Sequence, residues 1–166
     1  VRIPVGVEGQ SRLAAPFFRG IDPQDEGAVS ALPKSVVVGS FDLSGRSVVV
    51  GTDFARTQGL HVGDRFSVYS VKELEQMEKN KGQQASLPED YEVRGIFDVG
   101  FYEYNSAFII TSLENAQELY GLADSVHGLL VKLDDPMNAD SVRKELWPKL
   151  GERYNIRTWL EQSSML

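Results

Sequence analysis

The chain has 166 residues, of which 42% are hydrophobic, and this is enough to build a packed core in one domain or in two small ones. Its net charge of −7 and its scattered basic residues argue against non-specific binding of nucleic acid, which needs clustered lysine and arginine to neutralise phosphates. The absence of cysteine excludes disulfides, thiol nucleophiles and zinc sites built on thiolates.

The start of the chain predicts a hairpin, a loop and a short extended segment. The patterns of residues 1–7 and 14–22 predict two strands, joined through a turn around residues 8–10. Residues 23–32 are polar and favour a loop. The valine run at residues 36–38 is typical of a short strand or of the edge of a helix, and both interpretations stay open.

The clearest pattern covers residues 48–68, which follow a predicted turn at residues 43–46. Three consecutive valines predict a strand that ends at Gly51, and a short helical pattern then runs to Gly59. The Gly-Asp pair at residues 63–64 marks a turn into a second strand. The polar side chains lie at turns and caps, so we predict that this segment holds a shape rather than carrying chemistry.

Residues 71–92 break this pattern, because they are rich in lysine, glutamate and glutamine. The first half, residues 72–79, predicts one or two turns of helix. The second half contains Gly82 and Pro88 and predicts a loop. The segment is either a solvated excursion or an insertion that binds a partner, since long loops in compact domains often carry function.

The next elements predict a strand, a buried strand and a helix. Residues 91–97 resume the strand pattern, and residues 107–110 are typical of a buried strand. Residues 111–112 offer a cap for a helix over residues 113–120, and Gly121 ends it.

The last part of the chain predicts a second strand–helix–strand unit. Strands are expected over residues 128–133 and 154–159, with a turn at 134–136 and an amphipathic helix over 138–150 between them. The order of elements indicates an α+β fold. Residues 24–127 are expected to form a subdomain inserted between two sequence-distant parts of another.

The sequence contains no recognisable reactive constellation. His61 and His127 each lack a second histidine at a ligand spacing, and we assign them to a turn and a strand edge. Asp53, Asp64 and Asp98 lie at predicted element ends, and they could act as catalytic carboxylates only if the fold brought them together. We therefore predict no catalytic residue, no metal site and no cofactor.

Some lysines and aromatic residues are candidates for contacting a partner, because tyrosine is an amphipathic contact residue and the lysines lie in the polar excursion. The alternative for Phe101, Tyr102 and Tyr104 is that they form a strand end that packs on its own sheet. The candidates are Lys72, Lys79, Lys81, Tyr91, Phe101, Tyr102 and Tyr104.

Residues 48–68 are similar to a segment of the extracytoplasmic domains of MacB/FtsX-type ABC transporter permeases, in which V-hydrophobic-G-x-x-x-A-x-x-x-G leads into hydrophobic-x-x-G-D. The closer resemblance is to the lipoprotein-releasing permeases of the LolC/LolE type. Further similar pieces follow in the order of that family and cover nearly the whole chain. They are residues 18–23, 95–104, 116–119 and 128–133, and Thr158-Trp159 followed by Glu161.

The resemblance implies two subdomains. One, called Porter, is a strand–helix–strand part built from both chain ends, here residues 1–23 and 128–166, without its first strand and helix. The other, called Sabre, is inserted between them as a mixed subdomain over residues 24–127. Because the strand pattern is already under way at Val1, we expect the chain to be a piece excised from a longer protein.

The resemblance also implies a location and a function. It places the chain as a soluble domain on the periplasmic face of a bacterial inner membrane, between the first two membrane helices of a permease. The domain has no enzymatic activity and transmits motion, while a separate cytoplasmic subunit hydrolyses ATP. The other partners implied are a second permease copy or a paralogue, a periplasmic lipoprotein carrier and the lipoprotein cargo, with no nucleic acid.

In the LolC-type members of the family, a hairpin called the hook and a nearby basic pad recruit the carrier. Residues 70–92 occupy the place of the hook here. Where the pad would need cations, this chain offers Ser67, Pro88 and Glu89, and its lysines lie within the excursion instead. The chain therefore departs from the basic pad of those members.

Two other functions remain open from the sequence. The Gly63-Asp64 turn also occurs in small β-barrels that serve as soluble enzymes or binding modules, and a pocket gathering Asp53, Asp64 and His61 would favour such a function. Alternatively, the chain is an adaptor that recognises a partner through residues 71–92 or through the aromatic residues 101–104.

Overall fold

A computed structural model describes residues 1–8, 10–11, 13–79 and 87–163. The chain divides into two compact units, which we call unit 1, Val1–Gly128, and unit 2, Leu129–Leu166. The architecture is mixed, with strands and helices together, as the sequence predicts. No helix in the described ranges is both long enough and apolar enough to cross a membrane.

The described residues of unit 1 form a seven-stranded mixed sheet in the order β1-β5-β6-β4-β7-β2, with β3 also paired to β6. The β4/β6 and β2/β7 pairs are parallel and the others are antiparallel. The strands are β1 Val5–Gly6, β2 Phe17–Ile21, β3 Val36–Gly39, β4 Ser47–Gly51, β5 Arg65–Val68, β6 Glu89–Phe97 and β7 Phe108–Ser112. The helices are α1 Pro23–Val29, α2 Thr52–Gln58, α3 Val71–Lys79, α4 Tyr102–Ala107 and α5 Leu113–Tyr120, with a 3-10 turn at Leu32–Ser35.

Strand β4 is buried on both faces of this sheet. Because side chains alternate along a strand, Val48 and Val50 enter one hydrophobic core and Val49 enters the core on the opposite face. Helix α2 contributes Phe54 to the first core, and the loop residue Leu43 belongs to the second. The valine run of the sequence thus becomes the middle layer of a three-layer arrangement.

The predicted strand–helix–strand unit over residues 48–68 is confirmed. Helix α2 begins directly after Gly51 and ends at Gly59, which adopts the left-handed conformation with φ 67°. Helix α5 follows the same rules, because the side chain of Ser112 accepts a hydrogen bond from the backbone N–H of Asn115 and Gly121 ends the helix with φ 67°.

One loop prediction and one strand-end prediction in unit 1 are wrong, because short helices form there. Residues 23–32 contain α1, which Asp22 caps by accepting from the backbone N–H of Gln24, with proline in the first turn. Residues 102–107 form α4, where the sequence suggested a strand end. In both places a cap or a tertiary contact fixes a helix too short to show a periodic pattern.

The predicted hairpin at the start of the chain is shorter than expected. Its first strand is only β1, Val5–Gly6, which bridges to Ala14 and pairs with β5. Gly9 of the predicted turn lies outside the described residues, as does Gly82 of the predicted loop after α3. The predicted helix before that loop is confirmed as α3, and residues 36–38 form a strand rather than the edge of a helix.

In unit 2 the predicted helix is confirmed as α6, Ala139–Leu150, and the turn before it as a 3-10 turn at Pro136–Asn138. Residues 159–163 form a further helix, α7, Trp159–Ser163. The strands predicted over residues 128–133 and 154–159 are wrong, since the described part of these segments contains no strand.

A strand needs a neighbour for its backbone hydrogen bonds, and this explains the error in unit 2. Residues 1–23 were predicted to share a subdomain with residues 128–166. Their strands β1 and β2 instead pair with β5 and β7 inside unit 1. The division into Porter-like residues 1–23 and 128–166 and Sabre-like residues 24–127 stays a prediction.

Candidate partner-binding surfaces

The predicted partner-contacting residues lie at opposite ends of β6 and do not form one site. Lys72 and Lys79 are exposed on α3, and Lys72 lines a cleft together with Glu89, where β6 begins. Phe101 and Tyr102 follow the other end of the strand, and nine extended residues span about 30 Å. Lys81 lies outside the described residues.

Tyr91 and Tyr104 pack inside unit 1. Tyr91 has 0% exposure, and its ring meets that of Phe18 edge-on at 6.3 Å. Tyr104 packs against the second core and stacks on Phe108 at 4.4 Å between ring centroids. The Tyr91 ring has no surface to offer a partner, which corrects the prediction. The Tyr104 ring packs on the protein's own core, but from helix α4 rather than from a strand end.

Phe101 and Tyr102 are the aromatic candidates that face solvent, with exposures of 68% and 66%. They are adjacent at the start of α4, at the end of the sheet where β4 and β6 finish. Two neighbouring exposed rings with a hydroxyl are typical of a contact surface, since aromatic residues are enriched in protein interfaces.

The loop that presents these two rings is fixed by hydrogen bonds. The side chain of Asp98 accepts from the backbone N–H of Gly100 and from the amide of Asn105, both at 2.8 Å. The buried Asn105 in turn accepts from the backbone N–H of Val99 at 3.1 Å. These bonds favour the ionised carboxylate and lower the pKa of Asp98.

A cleft of about 480 Å³ lies beside α3 at the other end of the sheet. Its walls are mostly charged or polar, which distinguishes it from the largely apolar pockets that hold small molecules. The charged side chains of its lining are Arg46, Lys72, Glu73, Glu89 and Glu118, and the uncharged polar ones are Ser70 and Gln76.

Arg46, which lines this cleft, forms ion pairs and hydrogen bonds with its neighbours. Its guanidinium makes two hydrogen bonds to Glu118, at 2.8 and 3.0 Å, and a third contact to Glu89 at 2.9 Å. It also donates to the hydroxyl of Tyr91 at 3.2 Å. The bonds to Glu118 raise the pKa of Arg46 further, so the guanidinium stays protonated. Its positive charge is balanced by the paired carboxylates of Glu118 and Glu89 and does not form a basic pad.

The sequence placed Arg46 only in a turn. Its partners on β6 and α5 are remote along the chain, so no local pattern could have predicted this cluster.

Glu118→Gln should lower the free energy of unfolding by less than about 1 kcal/mol at neutral pH, because more than half of this side chain is exposed and screened by solvent. The hydrogen bond from Arg46 lowers the pKa of Glu118 in the folded state. Its stabilisation is therefore present above the unfolded pKa and is lost as the pH falls through the folded pKa. Urea unfolding across a pH series should show the two proteins converging in acid, and a difference that stays constant with pH would contradict this.

His61, Asp53 and Asp64, which the sequence singled out, each have a local partner. Asp64 accepts from the backbone N–H of His61 at 2.7 Å and thereby fixes their turn. Asp53 pairs with Arg56 on the same helix at 3.0 Å. The described residues contain no group of three potential metal ligands. The described strands run from β1 to β2 as an open order, so the barrel alternative gains no support here.

No protein-family model matches the chain. Individual curated proteins are similar to it over most of its length. The "Lipoprotein-releasing system transmembrane protein LolC" of Xylella fastidiosa is 28% identical over 153 residues, which cover 90% of this chain and 36% of that protein. The protein of the same name from Neisseria meningitidis is 29% identical over 148 residues, which cover 86% of this chain and 34% of that protein. The chain spans about a third of the length of these relatives, and they confirm its resemblance to ABC permeases of the LolC/LolE type.

Proposed function

We propose that this chain is the extracytoplasmic, non-catalytic part of an ABC transporter permease that works in lipoprotein release. The observation that carries the proposal is its similarity to LolC proteins over 86–90% of its length. The sequence motifs that predicted the family are spread through both units, so the similarity does not rest on one segment.

Other subunits of the transporter would supply the ATPase activity and the rest of the membrane part. A cytoplasmic ATPase subunit would hydrolyse ATP, and a second permease copy or paralogue would complete the membrane part. In this proposal the chain lies on the periplasmic side of the inner membrane and transmits motion between the membrane part, the lipoprotein cargo and a periplasmic carrier. The well-packed sheet of unit 1 supports such a role, because a rigid element passes on displacement.

We further propose that the apolar residues exposed on unit 2 become covered within the Porter-like subdomain of the assembled transporter. Leu129, Leu130 and Val131 are 88%, 62% and 67% exposed. Units of about 40 residues without disulfides or metals rarely fold by themselves. Unit 2 has no cysteine, and the strands of residues 1–23 already pair within unit 1.

For contact with a carrier, we propose the exposed residues at the two ends of β6. These are Lys72, Lys79, Phe101 and Tyr102, together with Lys81 by its place in the sequence. Arg46 is paired with Glu118 and Glu89, so the proposed contact is assigned to the lysines and the exposed rings. This arrangement differs from the basic pad of LolC-type members.

Reconstitution of the full-length protein tests the proposed function. The permease and its ATPase would be placed in liposomes that carry an acylated lipoprotein, and lipoprotein in the supernatant would be measured with ATP and a soluble carrier. We expect release that requires ATP and stops with a hydrolysis-deficient ATPase. ATP hydrolysis that releases no lipoprotein, while a soluble substrate stimulates it, would overturn the proposal in favour of another cargo class.

A further inference from the structure

The hydroxyl of Tyr120 lies where the first residues of unit 1 meet the edge of its sheet. Tyr120 is the last residue of α5, and its oxygen lies 3.1 Å from the backbone carbonyl oxygen of Val1. It also accepts from the backbone N–H of Phe18 at 3.2 Å and lies 3.1 Å from the carbonyl oxygen of Phe18. One phenol therefore joins the N-terminal segment to β2.

These bonds are made at an edge of the sheet. Strand β2 is the outermost strand in the described sheet and pairs with β7 alone, so its outward N–H and C=O groups need other partners. At Phe18 the hydroxyl of Tyr120 accepts from the backbone N–H, and its one proton is shared between the carbonyl oxygens of Phe18 and Val1. Burial raises the pKa of Tyr120, so the hydroxyl keeps its proton at neutral pH and remains able to donate.

The close approach of α5 to β2 holds the tyrosine in this place. Gly20 on β2 faces Ala116 on α5, and a Cβ at Gly20 would lie only 2.2 Å from the Cβ of Ala116. Any larger residue at position 20 would push the helix outward. The phenol therefore reaches β2 because a glycine lets the helix pack directly on the strand.

The last residues of unit 1 meet the same side chain. The ring of His127 lies 5.0 Å from the ring of Tyr120 at an angle of 77°, an edge-to-face contact. The segment between them is tied to α5, since the side chain of Gln117 donates to the backbone oxygen of Ser125 at 3.1 Å. Both ends of unit 1 therefore contact Tyr120.

We infer that Tyr120 mechanically couples the two ends of unit 1, so that displacing the segment at His127 also loosens the segment at Val1 and the edge strand β2. The inference rests on the proposed function, in which the chain transmits motion between the membrane part, the lipoprotein cargo and a periplasmic carrier. Motion arriving through either end would then reach the sheet at one point, at Phe18, rather than at two independent points.

Amide hydrogen exchange in the 166-residue chain tests the coupling, because a perturbation at one end can be read at the other. The amides of Ile3 and Val5 donate to the carbonyls of Pro16 and Ala14 and report on the first segment. With His127→Ala, we expect these two amides to exchange at least about threefold faster. The matched control is His61→Ala, an exposed histidine in a separate turn, which should leave both rates unchanged.

Tyr120→Phe removes the hydroxyl while keeping the ring. Here the amides of Phe18 and Ile3 should exchange about three- to tenfold faster, the factor expected for losing one hydrogen bond. Unchanged exchange at Ile109, in the core strand β7, would show that the variant is folded. Wild-type rates at Ile3 and Val5 in His127→Ala, or equal effects from His61→Ala, would overturn the coupling. This outcome does not depend on lipoprotein release, so the two proposals can fail separately.

Discussion

Gly51→Ala is expected to destabilise unit 1 by about 3 kcal/mol or more, because the new methyl group has no space. A Cβ at Gly51 would lie 2.0 Å from the backbone oxygen of Asn105 and 2.6 Å from its carbonyl carbon. The φ of Gly51 is −75°, which any residue adopts, so crowding alone opposes the substitution. Relief would require α4 to move away from the end of β4, and the two exposed aromatic rings would move with it.

The control for this substitution is Gly27→Ala. Gly27 lies within α1, and a Cβ there would meet nothing within 4 Å. Alanine should therefore stabilise the protein by up to about 1 kcal/mol through its better helix propensity. Urea unfolding should be followed by far-UV circular dichroism, since both tryptophans lie in unit 2. A Gly51→Ala protein within about 0.5 kcal/mol of wild type would contradict the packing described at α4.

Ile109→Ala and Ile110→Ala should each cost about 2–5 kcal/mol, although the two residues are adjacent and point to opposite faces of β7. Both side chains are 0% exposed, Ile109 in the first core and Ile110 in the second. A sheet with one solvated face would give a large loss at only one of them. The pair therefore tests directly whether unit 1 buries both sides of its sheet.

Val37→Ala on β3 provides the matched control for these two substitutions, since Val37 is a strand residue that is 59% exposed. Its loss should stay within about 0.5 kcal/mol. The same urea titration applies to all three proteins. A small effect at either isoleucine, or an effect at Val37 as large as at Ile109, would show that burial is distributed differently.

The parts of the fold that depend on neighbours in sequence could be predicted. Residues 48–68 carry a β-branched run, a glycine helix stop and a Gly-Asp turn, and each of these acts within a few residues. Helix α5 was predictable for the same reason, because Ser112 and Gly121 cap it locally. The start signal at Asp22 and Pro23 was also present, but the polar residues that follow were interpreted as a loop.

The parts that depend on distant partners could not be predicted. Residues 128–133 have the composition of a strand, yet a strand exists only where another strand accepts its hydrogen bonds. Arg46 was assigned to a turn, and only the fold brings it to Glu118 and Glu89. The burial of Tyr91 beneath this cluster follows from the same long-range packing. An aromatic residue in the sequence can be a core ring or a contact ring, and only the fold distinguishes the two.

This arrangement bears on how a carrier would be bound in the proposed function. The cations expected of a basic pad are either paired, as in Arg46, or carried by the exposed helix α3, as in Lys72 and Lys79. Contacts made by exposed lysines are screened by salt. We therefore expect any carrier contact at this end of the sheet to weaken with rising ionic strength, whereas a contact through Phe101 and Tyr102 would change little.

The location of the chain in the full-length protein is the most direct test of the whole account. Because the 166 residues contain no cysteine, a single cysteine at the exposed position of Gly27, in a full-length protein otherwise free of cysteine, reports on this domain alone. A membrane-impermeant maleimide would be added to cells whose outer membrane is permeable and whose inner membrane is intact. A periplasmic domain would be labelled under these conditions, and labelling that appears only after the inner membrane is disrupted would contradict the proposed location.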